Sequence, residues 1–245
     1  FTFLFRSPDS WIIIRNTILY NIVFIFLGTA FSVFIAILLN ECSRKWQKRY
    51  QTLILIPHLL SYVVVSYIAY AFLGAENGMI NNQILRPLGL DPISFYTEDK
   101  YWPFILVFVN IWKTFGYSSI IYFASIIGID RTYYEAAEVD GASAWTQIWS
   151  ITLPLLKPVL ITMLLLSVGR ILYSDFGLFY QVPMDSGMLF NTTNTIDTFV
   201  YRGLLQTNDL GRAAAANFIQ SVMGFFLVLG ANLIVRKVEK EYALF

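Results

Sequence analysis

The side chains able to do chemistry are few and widely spaced. The chain holds one His (His58) and one Cys (Cys42), too few for a disulfide framework or a His/Cys metal cluster. No nucleophile, base and orienting group come together as an intramembrane enzyme would need. His58, in LIPHLLSY, reads as a hydrogen-bonded helix residue beside Pro57, and Cys42 as a loop thiol. What remains is Lys113 and Arg170 near the middle of apolar runs, Asp175 nearer the outer end of one, and one polar segment of helical character, YEAAEVDGASAWTQIWSITLP at 134–154. Charges inside apolar runs usually face protein or water and mark functional positions.

The elements that must position these residues are membrane-length. Of 245 residues, 57% are hydrophobic and only 13% charged, where a soluble domain carries about a quarter charged; mean hydropathy is +0.60. A helix crossing roughly 30 Å of hydrocarbon needs about 20 apolar residues. Five stretches qualify, at 17–39, 51–73, 102–126, 155–179 and 213–235. Alternating segments of about ten residues, the mark of a transmembrane barrel, are absent from the sequence pattern. The basic residues fall in short patches with no basic face, which argues against a nucleic-acid partner.

Lys and Arg set orientation. Arg44, Lys45, Lys48 and Arg49, together with Arg236, Lys237 and Lys240, put the 40–50 loop and the C-terminus in the cytoplasm. Alternation then sends 74–101 and 181–212 outward and 127–154 inward. The first span runs from outside to inside, so at least one further span is expected ahead of Phe1. Residues 1–16 read as an interfacial lead-in with a turn and cap at Ser7-Pro8-Asp9-Ser10, and 74–101 as a loop with a short helix.

Within 127–154, Asp130 can cap a helix starting near Arg131, Asp140-Gly141 supplies a break, and ASAWTQIWS resumes helical spacing. Trp145, Ile148 and Trp149 fall at i, i+3 and i+4, an apolar edge. Pro154 and Pro158 suit a helix's first turn, so ITLPLLKP reads as the corner where the chain re-enters the membrane. The result is a helix-turn-helix knob, longer than a simple chain reversal needs.

These residues carry a resemblance. Glu135-Ala136-Ala137, three residues, Gly141, nine residues, Ile151, one residue, Leu153-Pro154 resembles the EAA signature of inner-membrane permease subunits of binding-protein-dependent ABC importers. The runs NIWKTFGYSSIIYFASIIGID, TIDTFVYRGL and GRAAAANFIQSVMGFFLVLGANLIVRK resemble the carbohydrate branch, over nearly the whole chain. Two departures stand out: Arg131 occupies a place where this branch often has Pro, and SDFGLFY at 174–180 lacks its usual acidic-amide pair.

The resemblance implies an all-α membrane protein, the type I ABC importer transmembrane domain. The whole of 1–245 would be one such domain, with 127–154 its cytoplasmic coupling-helix region in the bacterial inner membrane. It implies a second permease subunit, often making a heterodimer, two cytoplasmic ATPase subunits and an extracytoplasmic solute-binding protein. ATP and Mg would bind on the ATPases and no cofactor on this chain, which has no GxxxxGK[ST] loop. It assigns the ATPase contact to Glu135, Ala136, Ala137 and Gly141, supported by Asp140, Ala142, Trp145, Ile151, Leu153 and Pro154.

For the translocation path the candidates are Lys113, Arg170, Tyr173, Asp175, Tyr180, Asn217 and Gln220. Lys113 could equally make a fixed pairing across helices. Arg170 could bind sugar hydroxyls or an acidic sugar, or satisfy carbonyls at a helix interface. Arg170 and Asp175 are too far rotated for an i,i+4 pair, so each should find a different partner. Asn217, Gln220, Ser221 and Gly224 share one helix face that suits either the path or helix packing. A self-contained channel or secondary transporter is the alternative; the broken helices in corresponding halves that would support it are not visible in the sequence.

Overall fold

The computed structural model describes residues 10–207, 210–238 and 240; the turn expected at Ser7-Pro8-Asp9 lies outside them. Every regular element among the described residues is helical. Four helices are long and apolar enough to cross a membrane: Ser10–Glu41, Asp99–Ile127, Ala144–Gly169 and Ala213–Lys237, with a bent pair that makes up to five. The first expected span falls inside α1 (Ser10–Glu41). The third coincides with α4 (Trp102–Ile127), and the fifth lies inside α10 (Leu210–Val238).

The second expected span is not one helix. It is α2 (Arg44–Leu59) followed by α3 (Tyr62–Leu73), sharply bent at the interruption. Pro57 removes a backbone donor near the end of α2, and Ser61 starts α3 by accepting the Val64 amide on its hydroxyl at 3.3 Å, an N-cap that competes with continuing the helix.

The fourth span is displaced toward the N-terminus of its expected range. The chain does not turn a corner at Pro154. From α6 (Ala144–Gln147) it runs through a π-helical stretch, Ile148–Thr152, directly into α7 (Leu153–Gly169). Leu153 donates to the Ile148 carbonyl, and this wider turn accommodates the proline's missing donor without ending the helix. Arg170, expected near mid-helix, therefore lies in a turn just past Gly169, whose bare Cα faces the Val228 side chain of α10.

The remaining helices are α5 (Arg131–Val139), α8 (Phe190–Thr193) and α9 (Ile196–Thr207). A π-helical stretch at Ile80–Leu85 supplies the short helix expected in the 74–101 loop. The chain divides into two compact units. One is formed by Phe1–Phe24, Leu60–Asn110 and Arg170–Phe225, the other by Ile25–Leu59, Ile111–Gly169 and Phe226–Phe245. The second holds an apolar cluster of Val33, Ala36 and Leu39 on α1, Tyr122, Phe123 and Ile126 on α4, and Leu156 on α7. The first holds a smaller one at Ile13, Ile196 and Ala216. Only 17% to 28% of the apolar 18-residue stretch in each membrane-length helix is buried, so most of their apolar side chains face outward, as a lipid-solvated chain requires and a soluble core forbids.

Candidate functional site

The polar segment folds as a preformed knob. Asp130 caps α5, its carboxylate accepting the Thr132 amide at 3.0 Å, and that backbone donation holds its pKa below the usual carboxylate value. At the other end Gly141 donates to the Glu138 carbonyl at 3.0 Å and Ala142 to that of Ala137 at 2.9 Å. Gly141 sits at φ +78°, a left-handed conformation that closes the helix and that L side chains rarely adopt. Ser143 then caps α6, accepting the Thr146 amide at 3.2 Å, and Tyr134 ties α5 to the following helix through a 2.9 Å bond with Thr152.

The knob presents charge and apolar surface together. Glu135, Ala136, Asp140 and Gly141 are exposed, and Ala137 and Ala142 half-buried. Val139 is 89% exposed, Trp145 68% and Trp149 58%, with the two indoles edge to face at 6.1 Å; Ile151 and Leu153 are half-buried and Pro154 exposed. Behind this surface a cavity of about 830 Å³ is lined by Glu41, Arg44 and Gln47 on one side and Arg131, Glu135 and Glu138 on the other. Exposed indoles and a bare Val on a capped, rigid scaffold suit docking against another protein.

The interruption after α2 is held by Lys113. A helix end leaves its last carbonyls without amide partners, and here the Lys113 ammonium, 7% exposed, donates to Pro57 O at 3.3 Å and His58 O at 3.0 Å. A cation also complements the negative end of the helix dipole. Gly116, one turn on, lets α4 press against the Ile54 carbonyl, and a Cβ there would overlap that backbone. His58 stacks on Tyr117 at 4.8 Å.

The interruption after α7 is held by neutral amides and one acid. Asn21 donates to Ile171 O and Tyr173 O at 2.9 and 3.0 Å, and Gln220, 3% exposed, donates to Leu172 O at 2.7 Å. Asp197 accepts from the Ser174 amide and hydroxyl, both at 2.7 Å. Asp175 accepts the Leu178 amide at 3.2 Å and a hydrogen bond from Tyr62, whose ring packs on Gly177. Tyr173 shares a 2.8 Å bond with Ser221, while Arg170 and Asn217 are exposed. Tyr180 stacks on Phe176 at 4.8 Å and meets Tyr201 edge-on.

The path candidates thus separate. Lys113 and Gln220 are buried on backbone carbonyls, Asp175 is exposed yet doubly engaged, Tyr173 pairs with Ser221, and Arg170 and Asn217 are exposed. Sequence reasoning missed Asn21, Ser61, Tyr62 and Asp197. Asn21, a lone amide in the first apolar run, and the Pro57-to-Ser61 spacing were the available signals. Among the described residues no group of three or more His, Cys, Asp or Glu is placed to hold a metal ion.

Apolar spans, one of them a bent pair, with side chains holding the backbone both at that bend and at the turn after α7, define the membrane-spanning subunit of a transporter. The chain belongs to the family of binding-protein-dependent transport system inner membrane components, whose pattern matches residues 14–240, and it is a permease component of an ABC importer. It is 31% identical over 238 residues to Protein LplB of Bacillus subtilis (strain 168), covering 97% of this chain and 74% of that one. It is 32% identical over 244 residues to the polygalacturonan/rhamnogalacturonan transport system permease protein YteP of the same organism, with the same coverages. Among solved structures, a bacterial ABC transporter involved in the import of the acidic polysaccharide alginate superposes with a TM-score of 0.89 at 32% identity, covering 97% of this chain and 82% of that one.

Proposed function

We propose that this subunit forms, as a single transmembrane domain, one half of the path by which an oligosaccharide or polysaccharide fragment is taken up, in a heterodimer with a second permease subunit. An extracytoplasmic binding protein delivers the cargo. Two ATPase subunits on the cytoplasmic side bind ATP and Mg and drive the cycle, and no cofactor binds this chain. The basic residues of the 40–50 loop and the C-terminus support placing the knob in the cytoplasm. Saccharide cargo is supported by the relatives, one named for polygalacturonan/rhamnogalacturonan and one importing alginate.

The observation that carries the mechanism is the knob itself, capped at Asp130 and Ser143, closed at Gly141 and continuous with α7. In the proposed cycle Glu135, Ala136, Ala137 and Gly141 seat in a groove of one ATPase, with Asp140, Ala142, Trp145, Ile151, Leu153 and Pro154 shaping that contact. Closure of the ATPases on ATP moves the knob and turns the path outward; hydrolysis resets it. Tyr173, Asn217 and Tyr180 offer hydroxyl, amide and ring to a sugar.

The test is ATP hydrolysis by the reconstituted complex, with and without binding protein and cargo, for the native chain, Gly141→Pro and Glu135→Lys. Stimulation should be lost in both variants while the complex still assembles. Normal stimulation in both removes the coupling role of the knob. A broken span also occurs in self-contained secondary transporters; uptake that persists without the ATPases selects that reading.

A further inference from the structure

Lys113 and Arg170 are the two cations near the middle of the apolar stretches, Lys157 lying at the start of one, and the structure disposes of Lys113 and Arg170 differently. The Lys113 ammonium is buried on Pro57 and His58. Arg170 is exposed, and its guanidinium has no hydrogen-bond or ion-pair partner among the described residues. Around it the backbone of the turn is satisfied by others: Asn21 on Ile171 and Tyr173, Gln220 on Leu172, Asp197 on Ser174. The turn therefore holds its shape without the Arg170 side chain.

Arg170 follows directly on a membrane-length helix, and a guanidinium there is costly against lipid and is retained where it meets water or an anion. The turn that Arg170 opens, and the helix packed on that turn, carry polar groups of definite chemistry. The turn closes with Tyr173 N donating to Arg170 O at 2.9 Å. The Tyr173 hydroxyl pairs with Ser221, and Asn217 stands exposed one turn earlier on the same face of α10. Hydroxyl and amide groups exchange hydrogen bonds with sugar hydroxyls, which any saccharide offers. The planar fork of an arginine matches a carboxylate, which only an acidic saccharide offers.

We infer that Arg170 is a specificity-determining residue that reads the carboxylates of an anionic saccharide at the second interruption. The inference rests on the saccharide reading above. The test uses the complete complex in vesicles, measuring uptake and stimulated ATP hydrolysis with trigalacturonate and with its fully methyl-esterified form, which has the same rings without the charges. For each cargo the variant-to-native ratio cancels the preference of the binding protein.

Arg170→Gln should lower the rate with the acid about tenfold or more, the range for losing a charge-assisted hydrogen bond, and leave the ester within about twofold. Arg170→Lys, which keeps the charge and loses the fork, should fall between. Equal loss for both cargoes, or failure of Arg170→Gln to assemble with the second permease, makes the residue a structural or subunit contact and overturns the inference. Normal rates in Arg170→Gln overturn it as well. If neither form stimulates the native complex, the saccharide reading itself falls and this inference with it.

Discussion

The two interruptions solve the same problem by different means. Where α2 stops, one ammonium serves two carbonyls; where α7 stops, Asn21, Gln220 and Asp197 share the work between them. The first arrangement concentrates the stabilisation of a helix end in one desolvated charge. The second distributes it over neutral donors and one acid, and the loss of any member leaves the others in place. Interrupted backbone in an apolar environment must be satisfied internally, and the contrast shows that a single point and a network both suffice.

The comparison breaks most sharply at Lys113. Lys113→Met takes the ammonium from two part-buried carbonyls and should destabilise the chain by about 3 kcal/mol, seen as a lowered Tm in detergent; a Tm within a degree of native would show that those carbonyls find other partners. Gly116→Ala comes next at about 3 kcal/mol, because the new methyl meets the Ile54 backbone, and Gly177→Ala should cost less, since it meets the movable Tyr62 ring.

At the other interruption Asn21→Leu and Gln220→Leu should each cost about 1 to 2 kcal/mol. Because they serve adjacent carbonyls of one turn, the double variant should depart from the sum by at least about 0.5 kcal/mol; strict additivity in thermal unfolding would deny that they form a network. Gly141→Ala, where space is open and only the backbone objects, should cost about 1 kcal/mol.

The smallest effect is that of Asp130. Its pKa is lowered in the folded chain by the Thr132 amide, so the cap contributes fully above the ordinary carboxylate value and is lost as pH falls through the lowered one. The protection of the Thr132 amide, taken relative to the intrinsic exchange rate at each pH, should fall as the pH drops through that window; flat protection would show that the cap does not hold α5.

The knob was legible in the sequence because its signals are local. Asp130, Gly141 and Ser143 act within three or four residues of themselves, and the long apolar runs announced α1, α4 and α10. The interruptions were not legible because a hydropathy window averages across 57–61 and 170–175. Their caps also come from far away: Lys113 lies 55 residues from His58, and Asn21 lies 150 residues from Ile171. The corner at Pro154 was misread for a third reason, since a π-helical stretch absorbs a proline that would break an ordinary α-helix.

That uninterrupted run from Ala144 to Gly169 works as a lever arm. Its 26 residues span about 39 Å at helical rise, with no loop along it to yield. A tilt of only a few degrees imposed at the Trp145 end would displace the Gly169 end by about 2 to 3 Å, and the residue fastened directly beyond that tip is Arg170.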